Sequence, residues 1–166
     1  MTALLQADRT RPAFLRALLQ AMPKGGDLHN HLSGSVYAED FIRWAGEEGY
    51  CVRLEDHGLH APPCGDGQVP ARDLATRDAA LYARVVDALS MRNFLPGQPQ
   101  VSGHDRFFST FGKFGVVDAR RADTVVATLE QAARDRVGYV EIIANPPQSD
   151  ALGRRMQALG WQPGDY

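Results

Sequence analysis

Residues 22–37 read MPKGGDLHNHLSGSVY, a Pro-Lys-Gly-Gly turn followed by a short strand-like run that ends at two histidines. Successive side chains of a β-strand alternate between its faces, so His29 and His31 are expected on one face, with Asp27 below them. Two imidazoles on one face can share a metal, and their spacing suits zinc. The same spacing is equally compatible with two surface histidines that bind no metal, so the neighbouring residues are needed to distinguish the two interpretations.

The wider string resembles the first strand of the adenosine deaminase family, in which a Pro-Lys pair, a small-residue turn, Leu-His-x-His-Leu and Gly-Ser occur together. The matching positions are Pro23, Lys24, Leu28, His29, His31, Leu32, Gly34 and Ser35. The string is most similar to the bacterial and secreted growth-factor-type deaminases. Ser33 is a departure, because many members carry there an acidic residue that binds a ribose hydroxyl. The resemblance therefore assigns Ser33 to the substrate site with a different side chain.

The resemblance implies an α/β fold, the (β/α)8 TIM barrel. Such a barrel needs about 250 residues, so we expect these 166 residues to form its N-terminal portion. That portion would contain the first two parallel strands, with a long helical excursion between them. The resemblance covers roughly residues 12–147, which predicts a barrel segment over 1–147 and an unmatched tail over 148–166.

The activity implied is hydrolysis of adenosine or deoxyadenosine to inosine or deoxyinosine and ammonia, with a zinc-activated hydroxide as the nucleophile. His29 and His31 would be two ligands of the Zn²⁺ cofactor. The family takes its third histidine, its metal-binding aspartate and its proton shuttle from later strands. We therefore assign no catalytic residue in this chain and expect it to be inactive alone. Asp27 and Glu141 are available carboxylates, but neither is assigned as a base.

A phenylalanine-rich helix is predicted to begin at Ser102, with Asp105 three positions on in an arrangement close to a capping box. Three of its phenylalanines fall at i, i+4 and i+7, which by periodicity alone favours an aromatic stripe docked into the core. The resemblance adds a second interpretation, since the family places a Phe-x-x-x-Phe helix as an apolar wall over the purine. It assigns Phe107 and Phe111 to substrate binding.

Other helices are predicted over Pro12–Ala21, packing under the first strand, and over Ala38–Glu48, Leu74–Met91 and Thr124–Val137. Residues 138–145 read as a second parallel strand buried on both faces. Residues 51–71 carry several prolines and glycines and are expected to form a long surface loop. Cys51 and Cys64 fit no usual structural zinc spacing together with the nearby histidines. A disulfide between them would close a loop of about 12 residues and would need an oxidising compartment.

Charge and hydropathy exclude two classes of partner. The net charge is −2, and the 18 Lys and Arg residues are scattered, so no basic field favours nucleic acid. No apolar run approaches the roughly 20 residues of a membrane span, and residues 1–20 as written do not form a signal peptide. We expect a cytoplasmic protein, or a periplasmic or secreted one if the N-terminus is trimmed. The expected ligand is a small purine nucleoside, and the oligomeric state is left open.

Two alternatives to the deaminase remain. The chain is either a non-catalytic remnant or binding module that uses the excursion from Ala38 to Phe114 as an interaction surface, or part of a zinc amidohydrolase with another substrate. The Phe pair and the Pro-Lys turn disfavour the amidohydrolase.

Overall fold

The computed structural model describes residues 10–97, 101–117 and 120–144, together with a few isolated positions outside these ranges. In chain order its elements are helix α1 (Pro12–Ala21), strand β1 (Gly26–His31), a 3-10 turn (Leu32–Gly34), helix α2 (Ala38–Glu47), strands β2 (Cys51–Arg53), β3 (Leu59–His60) and β4 (Gln68–Pro70), helices α3 (Leu74–Arg77), α4 (Ala79–Ala88) and α5 (Gly103–Phe114), a second 3-10 turn (Gly115–Val117), helix α6 (Arg121–Arg134) and strand β5 (Tyr139–Ile143). The protein is therefore mixed α/β.

A two-stranded parallel sheet joins the two ends of the described chain. β1 pairs with β5 in the register Gly26 opposite Tyr139 and His31 opposite Ile143, with a register shift between Asp27 and Asn30. The prediction of two parallel strands separated by a long excursion is confirmed. Because the strands are parallel, their carboxyl ends lie at the same edge of the sheet.

The excursion contains the hydrophobic core. Side chains from α2, β2, β3, α3, α4 and α5 form one cluster, with Ala45, Val52 and Val85 fully buried. Trp44 is 2% exposed, as expected of a core residue. No residue of β1 or β5 belongs to this cluster.

The prediction of a surface loop over residues 51–71 is wrong, because this region forms a three-stranded antiparallel sheet in the order β3-β2-β4. Each strand has only two or three residues, too few to show an alternating pattern in the sequence. The prolines and glycines occupy the connections, apart from Pro70, which ends an edge strand where its missing N–H is tolerated. A disulfide joins Cys51 on β2 to Cys64 in the connection between β3 and β4.

Helix boundaries follow local signals closely. Pro12 at the first position starts α1, as predicted, and Gly49, with φ at +74°, follows the end of α2. The Ser102 hydroxyl accepts a hydrogen bond from the Asp105 backbone N–H at 3.0 Å, which confirms the predicted start of α5.

Two predicted helices differ from the structure by more than one residue. The single helix expected over Leu74–Met91 is divided into α3 and α4 at Asp78, whose carboxylate accepts from the Leu81 N–H at 2.8 Å. Asp78 acts there as an N-cap, which favours a new helix over continuation of the old one. α6 begins at Arg121, three residues before the predicted Thr124, and ends at Arg134 rather than Val137.

Two burial predictions are wrong. β5 was expected to be buried on both faces, but Tyr139 is 57% and Ile143 38% exposed, because these residues share a face that no element in the described part of the chain covers. α1 was expected to pack under β1, yet none of its residues is buried and Phe14 is 46% exposed. Asn145, the boundary at 147 and nearly all of the tail over 148–166 lie outside the described residues.

None of the helices in the described ranges combines the length and apolar character that a bilayer-spanning segment requires.

Candidate metal centre

The two predicted metal ligands meet at the carboxyl end of β1. The Nε2 atoms of His29 and His31 are 3.0 Å apart, and the two ring centroids are 4.9 Å apart in an edge-on arrangement. Two imidazole nitrogens on one tetrahedral zinc, each about 2.05 Å from the metal, lie about 3.3 Å from each other. The observed separation of 3.0 Å is that of a hydrogen bond from one ring N–H to the other ring nitrogen, so a zinc ion would replace this proton and widen the gap by about 0.3 Å. Both side chains are exposed.

The described residues supply only these two ligands. No group of three or more His, Cys, Asp or Glu side chains within the described ranges is placed to hold a metal. The donor set therefore fits zinc in part, since imidazole nitrogen is a preferred ligand but a catalytic zinc has three protein ligands. Any third ligand has to come from elsewhere.

Asp27 is engaged in the strand rather than directed at the histidine pair. Its carboxylate accepts the Asn30 side-chain N–H at 2.8 Å and the His29 backbone N–H at 3.2 Å. These two hydrogen bonds, the one from Asn30 first, hold the pKa of Asp27 below its ordinary value. They also span the register shift of β1, so Asp27 stabilises the irregular part of the strand that presents His29.

Asn30 has an unsatisfied acceptor. Its Nδ2 donates to Asp27, and its Oδ1 is buried without a hydrogen-bond partner among the described residues. A buried acceptor without a donor costs about 1 to 3 kcal/mol. Such a group is expected to receive a donor from another element.

Ser33 lines two small cavities at the carboxyl end of β1. One, of about 60 Å³, also has His31, Arg121 and Thr124 in its lining. The other, of about 130 Å³, has Phe111 and Thr124 in its lining. Ser33 is exposed, so its hydroxyl is accessible beside both His31 and the aromatic helix.

The phenylalanines of α5 divide into core and cavity residues. Phe114 is 7% exposed and stacks on Phe41 with the ring centroids 4.4 Å apart. Phe107 and Phe111, 5.2 Å apart between centroids, line a third cavity of about 480 Å³ together with the loop that follows β1. A cavity of this size is in the range of small-molecule sites. The ring of Phe111 lies 3.5 Å from where a Cβ on Gly34 would be, which is ordinary van der Waals contact, so the loop after β1 packs closely against α5 here.

Helix α6 contributes residues that the sequence did not indicate. Thr128 Oγ1 lies 2.7 Å from Ser35 Oγ, which holds the loop after β1 against the helix. Arg121 and Thr124 line the small cavity beside His31. The only available signal was the i, i+4 spacing of the two threonines in a predicted helix, and it does not reveal what they contact.

The class that fold and site define is a mixed α/β protein with a convergent histidine pair at the carboxyl end of a parallel strand. Comparisons of the chain with protein-family models, with curated proteins and with solved structures found no match.

Proposed function

We propose that the chain is the N-terminal part of a zinc-dependent adenosine deaminase barrel, with His29 and His31 as two of the metal ligands. The observation that carries this proposal is the 3.0 Å approach of the two Nε2 atoms at the carboxyl end of a parallel strand. In barrels of this class the active site lies at the carboxyl ends of the strands. The resemblance of residues 22–37 to the deaminases names the reaction.

In this proposal the chain's residues hold the metal and the substrate. His29 and His31 bind zinc, whose chemistry in a hydrolytic deamination is activation of the attacking water. Phe107 and Phe111 form an apolar wall against the purine, and Ser33 offers a hydroxyl on the sugar side. The proton shuttle is expected on later strands. The substrate would be adenosine or deoxyadenosine, and the products inosine or deoxyinosine and ammonia.

The exposed faces of the parallel sheet support a larger barrel. Leu28 on β1 is 65% exposed and Tyr139 on β5 57%, although strands of parallel sheets are normally covered on both faces. The unsatisfied Oδ1 of Asn30 gives the same indication, because a neighbouring element can supply its donor.

The Cys51–Cys64 disulfide bears on the compartment. Disulfides persist in oxidising environments and are rare in reducing ones. In our proposal the protein therefore works in the periplasm or outside the cell rather than in the cytoplasm.

The metal site is tested by calorimetric titration of the full chain with zinc. We expect weak binding, because only two convergent ligands are present among the described residues. His29→Ala and His31→Ala should each remove it. His104→Ala is a matched control, since its side chain is 75% exposed on helix α5, away from strand β1. A submicromolar site that survives loss of both His29 and His31 would overturn the assignment.

The reaction is tested by joining the chain to the later strands of an adenosine deaminase and following inosine formation. We expect zinc-dependent turnover that His29→Ala or His31→Ala abolishes. Phe111→Ala should mainly raise KM, because loss of an apolar contact costs about 1 to 3 kcal/mol of binding. If the joined protein binds zinc through the histidine pair but leaves both nucleosides unchanged, the amidohydrolase alternative replaces the deaminase.

A binding module is a second candidate, favoured by the position of the core. The excursion from Ala38 to Phe114 and the turn that follows it hold the buried cluster and the disulfide, so they have the components of a unit that folds independently of the parallel sheet. If this candidate is correct, His29→Ala and His31→Ala leave partner binding intact, whereas reduction of the disulfide weakens it.

A further inference from the structure

Lys24 occupies a position that the proposed reaction does not explain. Its side chain does not reach the histidine pair, since it precedes the first residue of β1 and the pair lies at the other end of that strand. It belongs to the Pro-Lys turn that precedes the strand. Its contacts explain why a lysine stands there.

The Lys24 ammonium joins the ends of two helices. Nζ donates to the backbone oxygen of Met22 at 3.1 Å and to that of Asp135 at 2.8 Å. Met22 is the C-cap residue of α1, and Asp135 is the C-cap residue of α6. Helix C-termini carry unsatisfied carbonyls and partial negative charge, so a cation between two of them is favourable.

The backbone next to Lys24 begins the parallel pairing. The Lys24 N–H donates to the Arg136 oxygen at 3.0 Å, and the Gly138 N–H donates to the Gly25 oxygen at 2.7 Å. The pairing of Gly26 with Tyr139 follows directly. The end of α6, the start of β5 and the start of β1 are thus held together at one point, beside the lysine side chain.

The register set at this point reaches the histidines. β1 and β5 pair from Gly26 opposite Tyr139 to His31 opposite Ile143. A slip of one residue would turn the strand's side chains to the other face and change their position along the edge. The pairing is irregular between Asp27 and Asn30, so the hydrogen bonds between β1 and β5 resist such a slip only weakly.

We infer that Lys24 is a positioning residue for the metal ligands: by joining the C-termini of α1 and α6 it sets the register in which β1 presents His29 and His31. This inference rests on the proposed function, because it concerns the same histidine pair. It assigns Lys24 no contact with metal or substrate.

The test compares zinc affinities of the full chain and its variants. We expect Lys24→Met to weaken zinc binding about tenfold, the size of effect typical of residues that orient metal ligands. Lys24→Arg, which keeps the charge and the donors, should restore most of the affinity, and Lys24→Gln should be intermediate. Arg134→Met is the matched control, since it removes a cation from the last turn of α6 whose pair is Glu130 on the same helix. It should leave zinc binding unchanged.

A second readout needs no metal. In the wild type, the rings of His29 and His31 are close enough for a nuclear Overhauser cross-peak between their protons. We expect this cross-peak to weaken in Lys24→Met and to remain in Arg134→Met.

If the wild type binds no zinc, the metal assignment fails, and the cross-peak alone decides the role of Lys24. If Lys24→Met folds and keeps both the wild-type zinc affinity and the cross-peak, or if Arg134→Met loses as much, the inference is wrong. Should Lys24→Met be unfolded, Lys24→Gln is read against the same criteria.

Discussion

Among single residues, Phe114 and Phe108 show how one helix places neighbouring aromatic rings in different environments. Both belong to α5, but Phe114 is 7% and Phe108 58% exposed. Phe114 stacks on Phe41 of α2, whereas Phe108 contacts other residues of its own helix. The two rings allow a direct comparison of core packing with surface exposure.

Phe114→Ala should lower the free energy of unfolding by about 3 to 5 kcal/mol, the cost of removing a buried aromatic ring and leaving a cavity. Phe108→Ala should change it by less than about 0.5 kcal/mol. Urea unfolding followed by circular dichroism measures both. Similar losses in the two variants would contradict the assignment of Phe114 to the core.

Asp56 organises the turn between β2 and β3. Its carboxylate accepts from Arg53 Nε at 3.0 Å and Nη2 at 2.7 Å, and from the Gly58 backbone N–H at 3.0 Å. The bidentate hydrogen bond from Arg53 is the main reason why the pKa of Asp56 lies well below its ordinary value of 3.8. Partial burial opposes this shift, but less strongly.

Asp56→Asn should therefore destabilise the protein in a pH-dependent way. A depressed carboxylate pKa contributes stability that is present above the unfolded value of 3.8 and is lost as the pH falls through the lower folded value. The wild type should be more stable than Asp56→Asn at neutral pH, and the difference should shrink as the pH falls below 3.8. Unfolding midpoints measured across this range test it. A difference that grows toward acid would refute the ion-pair explanation.

Among the elements, the three-stranded sheet depends most on a covalent constraint. β2, β3 and β4 have at most three residues each, too few for an independently stable sheet. Cys51 is fully buried on the central strand and is bonded to Cys64, 13 residues away. The disulfide therefore replaces part of the pairing that longer strands would provide.

Removal of this disulfide should cost about 3 kcal/mol, the value typical of a loop of this length. We expect dithiothreitol to lower the urea midpoint of the wild type and to leave that of the double variant Cys51→Ala/Cys64→Ala unchanged. Mass spectrometry with thiol alkylation checks the starting state. An unaltered midpoint after complete reduction would show that packing alone holds the sheet.

In the molecule as a whole, the buried apolar cluster contains no residue of α1, β1 or β5. Large apolar side chains are exposed on these three elements, as they are at several positions of the excursion and of α6. The exposed side chains of α1, β1 and β5 are Phe14, Leu19, Leu28, Tyr139 and Ile143. Exposed apolar side chains beside open strand edges promote association.

The chain alone should therefore associate as its concentration rises, which light scattering measures. Leu28→Glu should reduce this association, since Leu28 is 65% exposed on β1. Leu54→Glu is the control, because Leu54 is 46% exposed in the excursion, away from the parallel sheet. A monomer at every concentration would mean that the parallel sheet needs no further partner.

Most elements that a local interaction defines were predicted from the amino-acid sequence, the exception being the Asp78 cap that separates α3 from α4. Pro12, the Ser102 cap and Gly49 act through the backbone within one or two turns, so α1, α2 and α5 were located from neighbouring residues. Strand alternation likewise predicted that His29 and His31 share a face, and the periodicity of residues 124–137 located most of α6.

The remaining features depend on contacts between distant residues. The strands over 51–70 form only through pairing with one another. Ser35 contacts Thr128, which is 93 residues away in the sequence. The cavities beside Ser33 and the two helix ends joined by Lys24 arise only once α6 packs against the segments that flank β1. Local propensity acts over a few residues, whereas burial and hydrogen bonding between elements depend on the folded chain; hence residues 22–37 alone predicted the histidine pair, and only the tertiary structure determined which residues surround it.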